Sequence, residues 1–225
     1  RHRADIPLRR ELKAQRAAHL QGPKVSIIVP LYNTPPKFFD EMLQSVVKQT
    51  YTNWELVLVD ASDADKRLES RLPKAVPGII VYEPIENRGF ELATGDFIAL
   101  LDHDDVLYLN ALFEVVQTIQ NTGADFVYSD EIVLSADLKE LGGYHFKPDF
   151  APDYLRGVNF ITHLAVFSRP LLDAAGAYES KEFDGAQDHD LILRLTEKAQ
   201  RIEHIKKVLY IWRGHAGSTA AGMEA

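Results

Sequence analysis

The chain has 225 residues, of which 46% are hydrophobic and 26% charged, and this composition is typical of a globular protein with one sizeable core. Its 25 basic and 33 acidic residues give a net charge of −8, which argues against broad nucleic-acid binding but not against binding single nucleotides. The lack of cysteine excludes disulfides and thiolate metal sites, and no apolar run approaches the roughly 20 residues that cross a bilayer. Because the sequence begins with Arg1, we expect it to be a piece of a longer protein.

Residues 1–23 are basic and helical in pattern, and we expect an N-terminal helical extension there. From Lys24 onward, short apolar runs alternate with segments of helical spacing. The runs that predict strands are 25–29, 54–59, 79–82, 97–101 and 126–128, and the helical segments are 38–47 and 108–120. This alternation predicts an α/β fold with a largely parallel sheet and right-handed crossovers.

Beyond about residue 132 the alternation ends. Gly142-Gly143 favours a turn or hairpin. Strands are predicted at 164–167 and 208–212, and helices at 170–175 and 187–199. We therefore expect an α+β second half that wraps the sheet rather than extending it.

Clustered carboxylates follow the apolar run 97–101, namely Asp102, Asp104 and Asp105. They lie where open α/β folds bind ligands, at the carboxyl edge of the sheet, and they offer the hard oxygen ligands that a divalent cation prefers. Three carboxylates so close together repel one another unless a cation or donor offsets them, although one could simply cap the following helix. Asp60 ends the second strand and Asp130-Glu131 follow the fifth, so further carboxylates gather at this edge.

Seven motifs in order resemble a family 2 glycosyltransferase of the GT-A fold. They are Pro30-Leu31-Tyr32-Asn33, Val59-Asp60, Asn87-Arg88-Gly89, Leu92-Ala93-Thr94-Gly95, Asp102-His103-Asp104, Gly185-Ala186-Gln187-Asp188 and Trp212-Arg213-Gly214-His215. The resemblance implies a Rossmann-like, mainly parallel sheet with flanking helices over residues 24–225. Residues 24–131 would be the nucleotide-sugar-binding half, and residues 132–225 the acceptor-side half.

The same resemblance implies transfer of a sugar, with inversion, from a nucleotide sugar to a glycan or lipid-linked acceptor. The donor would be a UDP-sugar first, with dTDP or GDP as other nucleotides, and the cofactor would be Mn²⁺ or Mg²⁺. It also implies bacterial polysaccharide assembly in the cytoplasm at the inner face of the plasma membrane. Any association with that membrane would be peripheral, through parts outside this chain.

Residue roles follow from the resemblance position by position. Asp104 would bind the metal, Asp102 would contact the ribose or share the metal, and His215 would be a late metal or pyrophosphate ligand. Asp188 would be the general base that takes the proton of the attacking hydroxyl. It could also cap its helix, although Asp190 is the better candidate for a pure cap.

The other predicted contacts are with the nucleotide sugar. The residues are Pro30, Tyr32, Asn33, Asp60, Arg88, Asp102, Asp130, Glu131 and Trp212. Asp60 would accept a nucleobase N–H, Asp130 and Glu131 would contact the transferred sugar, and Trp212 would stack on a sugar face. His103 and Asp105 would instead be a structural residue and a helix cap.

The sequence departs from the family pattern at one place. Only Phe90-Glu91 separate two motifs between which the family has a helix of several turns, and two residues cannot make a parallel crossover. Either the helix is reduced to a turn here, or a segment is missing between these residues.

Two other classes of function are compatible with parts of the pattern. Asp102-x-Asp104 after an apolar strand also resembles the nucleophile motif of haloacid-dehalogenase phosphatases, although that motif normally opens its domain. The third alternative is a glycosyltransferase fold that binds sugars or nucleotides without catalysis.

Overall fold

The computed structural model describes residues 6–84, 88–176 and 187–215. The helices are α1 Arg9–Ala18, α2 Pro36–Val47, α3 Gly89–Leu92, α4 Ala111–Thr122, α5 Pro152–Gly157, α6 Arg169–Ala175 and α7 Gln187–Lys198. The strands are β1 Val25–Leu31, β2 Trp54–Asp60, β3 Ile79–Glu83, β4 Phe97–Leu100, β5 Val106–Leu107, β6 Phe126–Ser135, β7 Leu141–His145, β8 Ala165–Ser168 and β9 Ile202–Gly214.

All nine strands belong to one sheet, in the order β3-β2-β1-β4-β8-β6-β9-β5, with β7 paired to β6. The first four strands are parallel, as predicted, and β6 also runs parallel to β9. The other pairings are antiparallel. The expectation that the second half wraps the sheet is wrong, because β8 pairs with both β4 and β6 and so continues the sheet.

Both faces of the sheet are covered by apolar side chains. In β1, Ile27 and Val29 point into a core with the α2 residues Phe39 and Met42, while Ile28 points into a second core on the opposite face. This alternation follows from the two-residue period of a strand. A parallel strand buried on both sides reads as a continuous apolar run, which is why β1 and β2 were visible in the sequence.

Two local predictions can be compared with the structure. Gly142 and Gly143 do not form a turn but lie inside β7, and the hairpin turn falls at 136–140. A Cβ at Gly142 would lie 3.1 Å from Val133 Cγ1, so the glycine suits close strand pairing at the irregularity between Val133 and Leu134. At Phe90-Glu91 the chain forms the single helical turn α3.

The N-terminal extension α1 rests on the fold through polar contacts, and none of its residues is buried. Gln15 accepts a hydrogen bond from Thr50 Oγ1 (2.9 Å) and donates one to Glu114 (3.2 Å), and Arg16 donates to the carbonyl of Lys48 (3.1 Å). Among the described residues, no helix combines the length and apolar character needed to span a membrane.

A buried carboxylate joins the start of β1 to the turn before β4. Glu55 in β2 accepts hydrogen bonds from Ser26 Oγ (2.6 Å) and from the Thr94 amide (2.5 Å) and hydroxyl (2.8 Å), and Lys24 Nζ lies 2.5 Å away. Gly95 follows Thr94, and a Cβ there would come within 2.5 Å of Ser26 Oγ. Burial alone would raise the pKa of Glu55, but these donors outweigh it and lower the pKa to about 2.

Replacing Glu55 by Gln should lower the free energy of unfolding at pH 7 by about 2 kcal/mol, because a charged acceptor of several buried donors is lost. The folded-state pKa lies below the ordinary value of 4.5, so the wild-type advantage is fully present above pH 4.5 and falls as the pH drops toward 2. Urea denaturation at a series of pH values measures it, with the exposed Glu140→Gln as control. A difference that does not depend on pH would contradict the prediction.

Candidate active site

The loop after β4 is fixed by a buried carboxylate. Asp105 accepts hydrogen bonds from the Tyr210 hydroxyl (2.7 Å) and from the Arg213 amide (2.7 Å), both in β9. Burial raises the pKa of Asp105 to about 7. The expectation that Asp105 caps the next helix is wrong, because α4 begins only at Ala111 and Asp105 faces β9 instead.

The structure brings together two of the predicted metal ligands. Asp104 Oδ2 lies 2.6 Å from His215 Nε2, although the two residues are 111 positions apart in the chain. The His215 ring packs against Phe38 of α2, with ring centroids 5.2 Å apart. The pair therefore links the loop after β4 with the end of β9.

Arg213 holds this corner of the molecule together. Its guanidinium is fully buried, donates to the carbonyls of Asp104 (2.5 Å) and Ala136 (2.6 Å), and lies 2.8 Å from Glu41 Oε2. It also lies over the Phe38 ring, 4.3 Å from the centroid. A buried guanidinium with several acceptors is held in one orientation, and His215 lies only two residues further along.

The first aspartate of the motif contacts a histidine that the sequence did not single out. Asp102 Oδ2 lies 3.2 Å from His163 Nε2, and the His163 ring stacks on Tyr210 with centroids 4.6 Å apart. Burial would lower the pKa of His163, but the carboxylates of Asp102 and Glu131 raise it to about 10. The Asp102 side chain is half exposed; the surrounding protein would raise its pKa, but His163 outweighs that and lowers the pKa.

Glu131 is a buried hub rather than an exposed sugar contact. Its carboxylate accepts hydrogen bonds from His145 Nδ1 (2.7 Å) and Lys147 Nζ (3.3 Å), and His163 Nδ1 also lies 3.3 Å away. Only 1% of the residue is exposed. Burial would raise the pKa of Glu131, but His145, His163 and Lys147 hold it well below its usual range. The side chains that Glu131 supports, and not its own oxygens, reach the surface of the site.

Asp130 is buried on the same strand and has its own partners. Its Oδ1 accepts from the Lys147 amide (2.9 Å) and lies 2.8 Å from His204 Nε2. The other ring nitrogen of His204 lies 3.2 Å from the exposed Asp149, and the ring stacks on Tyr128 at 4.7 Å. Asp130 thus fixes β6 to the segment after β7, and a direct contact with a sugar would require these groups to move.

Two clusters of carboxylate and imidazole side chains are candidates for holding a cation. Asp102, Asp105 and His163 offer ligand atoms within 4.8 Å of one another, but both Asp105 oxygens already accept hydrogen bonds and the residue is buried. Asp104 and His215 present an oxygen and a nitrogen 2.6 Å apart at the edge of the loop. A carboxylate oxygen and an imidazole nitrogen are ligands that Mn²⁺ accepts, so the chemistry of these two side chains fits that ion.

The predicted nucleotide-binding residues lie at the ends of β1 and β2. Pro30 and Tyr32 are exposed, Tyr32 to 64%, and the amide of Asn33 donates to Ser62 Oγ (2.7 Å). Asp60 is buried and accepts from the Ser62 amide (2.9 Å) and the Tyr82 hydroxyl (2.5 Å). Burial would raise the pKa of Asp60, but these hydrogen bonds outweigh it and lower the pKa.

The remaining predicted residues lie on the outside of the fold. Arg88 forms an exposed ion pair with Glu91 (2.9 Å), and Asp188 is exposed in the first turn of α7. Asp190, expected as a pure cap, pairs with Arg194 Nε four residues on (2.9 Å). Gly185, Ala186 and Asn87 of the quoted motifs lie outside the described residues.

Trp212, which is predicted to stack on a sugar face, lies in β9 beside two histidines. Its ring contacts His145 at 5.7 Å and His163 at 6.0 Å between centroids. It is half-buried, so part of the indole remains open to solvent.

Sequence reasoning missed several residues of this site. Arg213 lay inside a quoted motif, and Lys147 is a cation among apolar and aromatic neighbours, so both carried a signal. His145 and His163 carried none, because isolated histidines in unpatterned segments have no periodicity to place them. The pairing of β8 with β4 and β6 brings His163 to Asp102, and the pairing of β7 with β6 brings His145 to Glu131.

The sheet carries carboxylates just beyond the carboxyl ends of its parallel strands. This is where open α/β folds bind nucleotides. Residues 26–139, just over half of the chain, match the family described as Glycosyl transferase family 2. The chain therefore belongs to glycosyltransferase family 2. This confirms the predicted family and enzyme class, and it assigns the acidic motif to that family rather than to a phosphatase.

Two relatives extend the match over most of the chain. An uncharacterized protein, y4gI, from Sinorhizobium fredii is 41% identical over 222 residues, which cover 91% of this chain and 24% of the relative. The O-antigen biosynthesis protein RfbC from Myxococcus xanthus is 34% identical over 213 residues, which cover 89% of this chain and 16% of the relative. The chain thus spans about a quarter or less of the length of these relatives.

Solved structures confirm the GT-A fold. S. aureus TarS 1–349 in complex with UDP-GlcNAc gives a TM-score of 0.72 at 21% identity, covering 90% of this chain and 62% of TarS 1–349. The mannosyltransferase PcManGT from Pyrobaculum calidifontis, in complex with GDP-Man and Mn²⁺, gives 0.62 at 19% identity, covering 90% and 60%. At these identities the likeness establishes the fold alone.

The Lys147→Met substitution tests how much the buried contacts of Lys147 with Glu131 and its neighbours stabilise the fold. Nζ donates to Glu131, to the Ile161 carbonyl (2.5 Å) and to the His163 carbonyl, and all three would lose a buried donor. We expect a loss of about 3–5 kcal/mol in the free energy of unfolding. Urea denaturation measures it, with the exposed Lys139→Met as control and an expected change there within about 0.5 kcal/mol. Equal losses in the free energy of unfolding for the two substitutions would show that the buried contacts of Lys147 do not provide this stability.

Proposed function

We propose that this chain is the catalytic domain of an inverting glycosyltransferase that moves a sugar from a nucleotide sugar to a hydroxyl of a glycan or lipid-linked saccharide. The observation that carries the proposal is the contact of Asp104 with His215, beside Asp102, at the carboxyl end of β4. It supplies hard and borderline ligands where a diphosphate would lie in such a sheet. The relative named for O-antigen biosynthesis supports polysaccharide assembly as the setting.

The nucleoside would lie over the ends of β1 and β2. Exposed Tyr32 and Pro30 offer an apolar surface for the base and ribose, and the buried carboxylate of Asp60 shapes the floor beneath them. Arg88 offers a cation to the diphosphate once it leaves Glu91. We propose a UDP-sugar as the donor to test first, because TarS is crystallised with UDP-GlcNAc and with UDP.

Asp104 and His215 would hold Mn²⁺ or Mg²⁺, with Asp102 as a further ligand or a ribose contact. When bound, the ion would offset the negative charge that develops on the leaving diphosphate. The chain's own residues keep the ligands in place, since His163 orients the Asp102 carboxylate and Arg213 fixes the segment that carries His215. Asp188 would take the proton from the acceptor hydroxyl on the other side of the transferred sugar.

An activity assay tests the proposal as a whole. The protein is incubated with Mn²⁺ and a panel of UDP-, GDP- and dTDP-sugars, with and without oligosaccharide and lipid-linked acceptors, and free nucleoside diphosphate is measured. Acceptor-dependent release, with the product anomer opposite to that of the donor, is expected. Donor binding without any release would favour the non-catalytic alternative.

Asp188→Asn tests the general base. The amide keeps the size of the side chain but cannot take a proton, so we expect turnover to fall by about 10²–10⁴-fold while donor binding is unchanged. Initial rates and calorimetry with the donor measure the two quantities. Asp173→Asn, at an exposed position of α6, is the matched control and should keep wild-type rates. Full activity of Asp188→Asn would remove the residue from this role.

Asp104→Ala tests the cation site. Loss of one ligand should weaken binding of UDP in the presence of Mn²⁺ by about 10-fold or more, to the affinity that wild-type protein shows in EDTA. Calorimetry with Mn²⁺ and UDP measures it, and the exposed Asp153→Ala serves as control. If affinity for UDP with Mn²⁺ stays at the wild-type value, Asp104 does not hold the ion.

A further inference from the structure

His145 is a half-exposed imidazole that borders the site and has no role in the mechanism above. It ends β7, its side chain is 48% exposed, and its Nδ1 lies 2.7 Å from Glu131 Oε1. Its ring meets Trp212 at an angle of 65°, with centroids 5.7 Å apart. No other hydrogen bond, ion pair or ring contact within the described part of the protein involves its side chain, so Nε2 has no hydrogen-bond partner there.

The partner of Nδ1 decides what Nε2 can do. Glu131 is buried, and its neighbours hold its pKa well below the usual range, so the carboxylate is ionised and can only accept hydrogen bonds. The hydrogen bond to Glu131 therefore uses the Nδ1 proton, and Nε2 is left for another partner. Glu131 thus fixes the orientation of the ring, and Nε2 can form a hydrogen bond with a polar group in the site.

The surroundings of His145 connect it to the predicted donor site. Glu131 contacts both His145 and His163, and the Trp212 ring touches both imidazoles. His163 in turn contacts Asp102. The two histidines and the indole form one continuous wall that starts at Asp102, where the nucleotide sugar would be held, and ends at His145.

We propose that His145 Nε2 forms a hydrogen bond with a hydroxyl of the transferred sugar and contributes to the choice of donor. This inference rests on the proposed function. A sugar hydroxyl can both donate and accept a hydrogen bond, so it can pair with Nε2 whichever role this nitrogen takes. The exposed part of Trp212 beside it offers an apolar face to a sugar ring, which is the usual partner surface for a pyranose.

Calorimetry with Mn²⁺ separates recognition of the sugar from recognition of the nucleotide. The probes are the nucleotide sugar that wild-type protein binds best, out of UDP-glucose, UDP-galactose, UDP-N-acetylglucosamine, GDP-mannose and dTDP-rhamnose, and the matching nucleoside diphosphate. His145→Ala should weaken binding of the nucleotide sugar by about 3- to 10-fold, the effect of one neutral hydrogen bond, and leave binding of the diphosphate unchanged. His145→Gln, whose amide can reach the same point, should recover part of the loss.

Leu141→Ala, at an exposed position of the same strand, is the control and should change neither affinity. The melting temperature of each variant shows whether it is folded. An equal loss for both ligands, or no loss for either, overturns the role of His145 while leaving the proposed function intact. If wild-type protein binds none of the nucleotide sugars, the proposed function fails and this inference fails with it.

Discussion

The hydrogen bonds that Asp105 accepts from β9 join the loop that carries Asp102 and Asp104 to the strand that leads to His215. They attach the loop after β4 to the Tyr210 hydroxyl and the Arg213 amide, two points three residues apart on one strand. The Tyr210 ring, so fixed, becomes the stacking surface for His163, and Arg213 delivers His215 two residues later. Because side chains alternate along a strand, a shift of one residue in β9 would exchange the two faces and dismantle both arrangements.

Opposite charges alternate from the exposed Asp102 into the buried interior of the site. Asp102, His163, Glu131 and Lys147 follow one another at 3.2–3.3 Å, so each ion has an oppositely charged neighbour. Burying these groups is costly, and apolar side chains of the same volume would often give equal or greater stability. An apolar core would not fix the orientation of polar groups. The paired ions fix which oxygen and which ring nitrogen faces the solvent, and a site that recognises polar substrates needs this.

Sequence reasoning reached the parts of this site that carry a pattern. The apolar runs of the parallel strands and the Asp102-x-Asp104 motif were readable because a buried strand and its polar end differ sharply in composition. The burial of Glu131 could not be predicted from the sequence, because it depends on the residues that β7 and β9 place beside this side chain. Asp105 was read as a cap because local rules favour Asp before a helix, and a tertiary contact 108 residues away overrode them.

The strand order brings residues from two halves of the chain to one edge of the sheet. The chain passes from β1 outward to β2 and β3, then returns to place β4 on the other side of β1, and such a reversal opens a crevice at the carboxyl ends. The loops that follow the parallel strands line that crevice. On the proposed function they would hold the nucleotide, which varies less between donors than the sugar does. The antiparallel strands β6 and β7, and β9 beside them, reach the same point from the opposite half and carry His145 and Trp212. On the proposed function, changes in those strands would alter the wall that faces the sugar without disturbing the nucleotide end, so one scaffold could keep its nucleotide and acquire a different sugar.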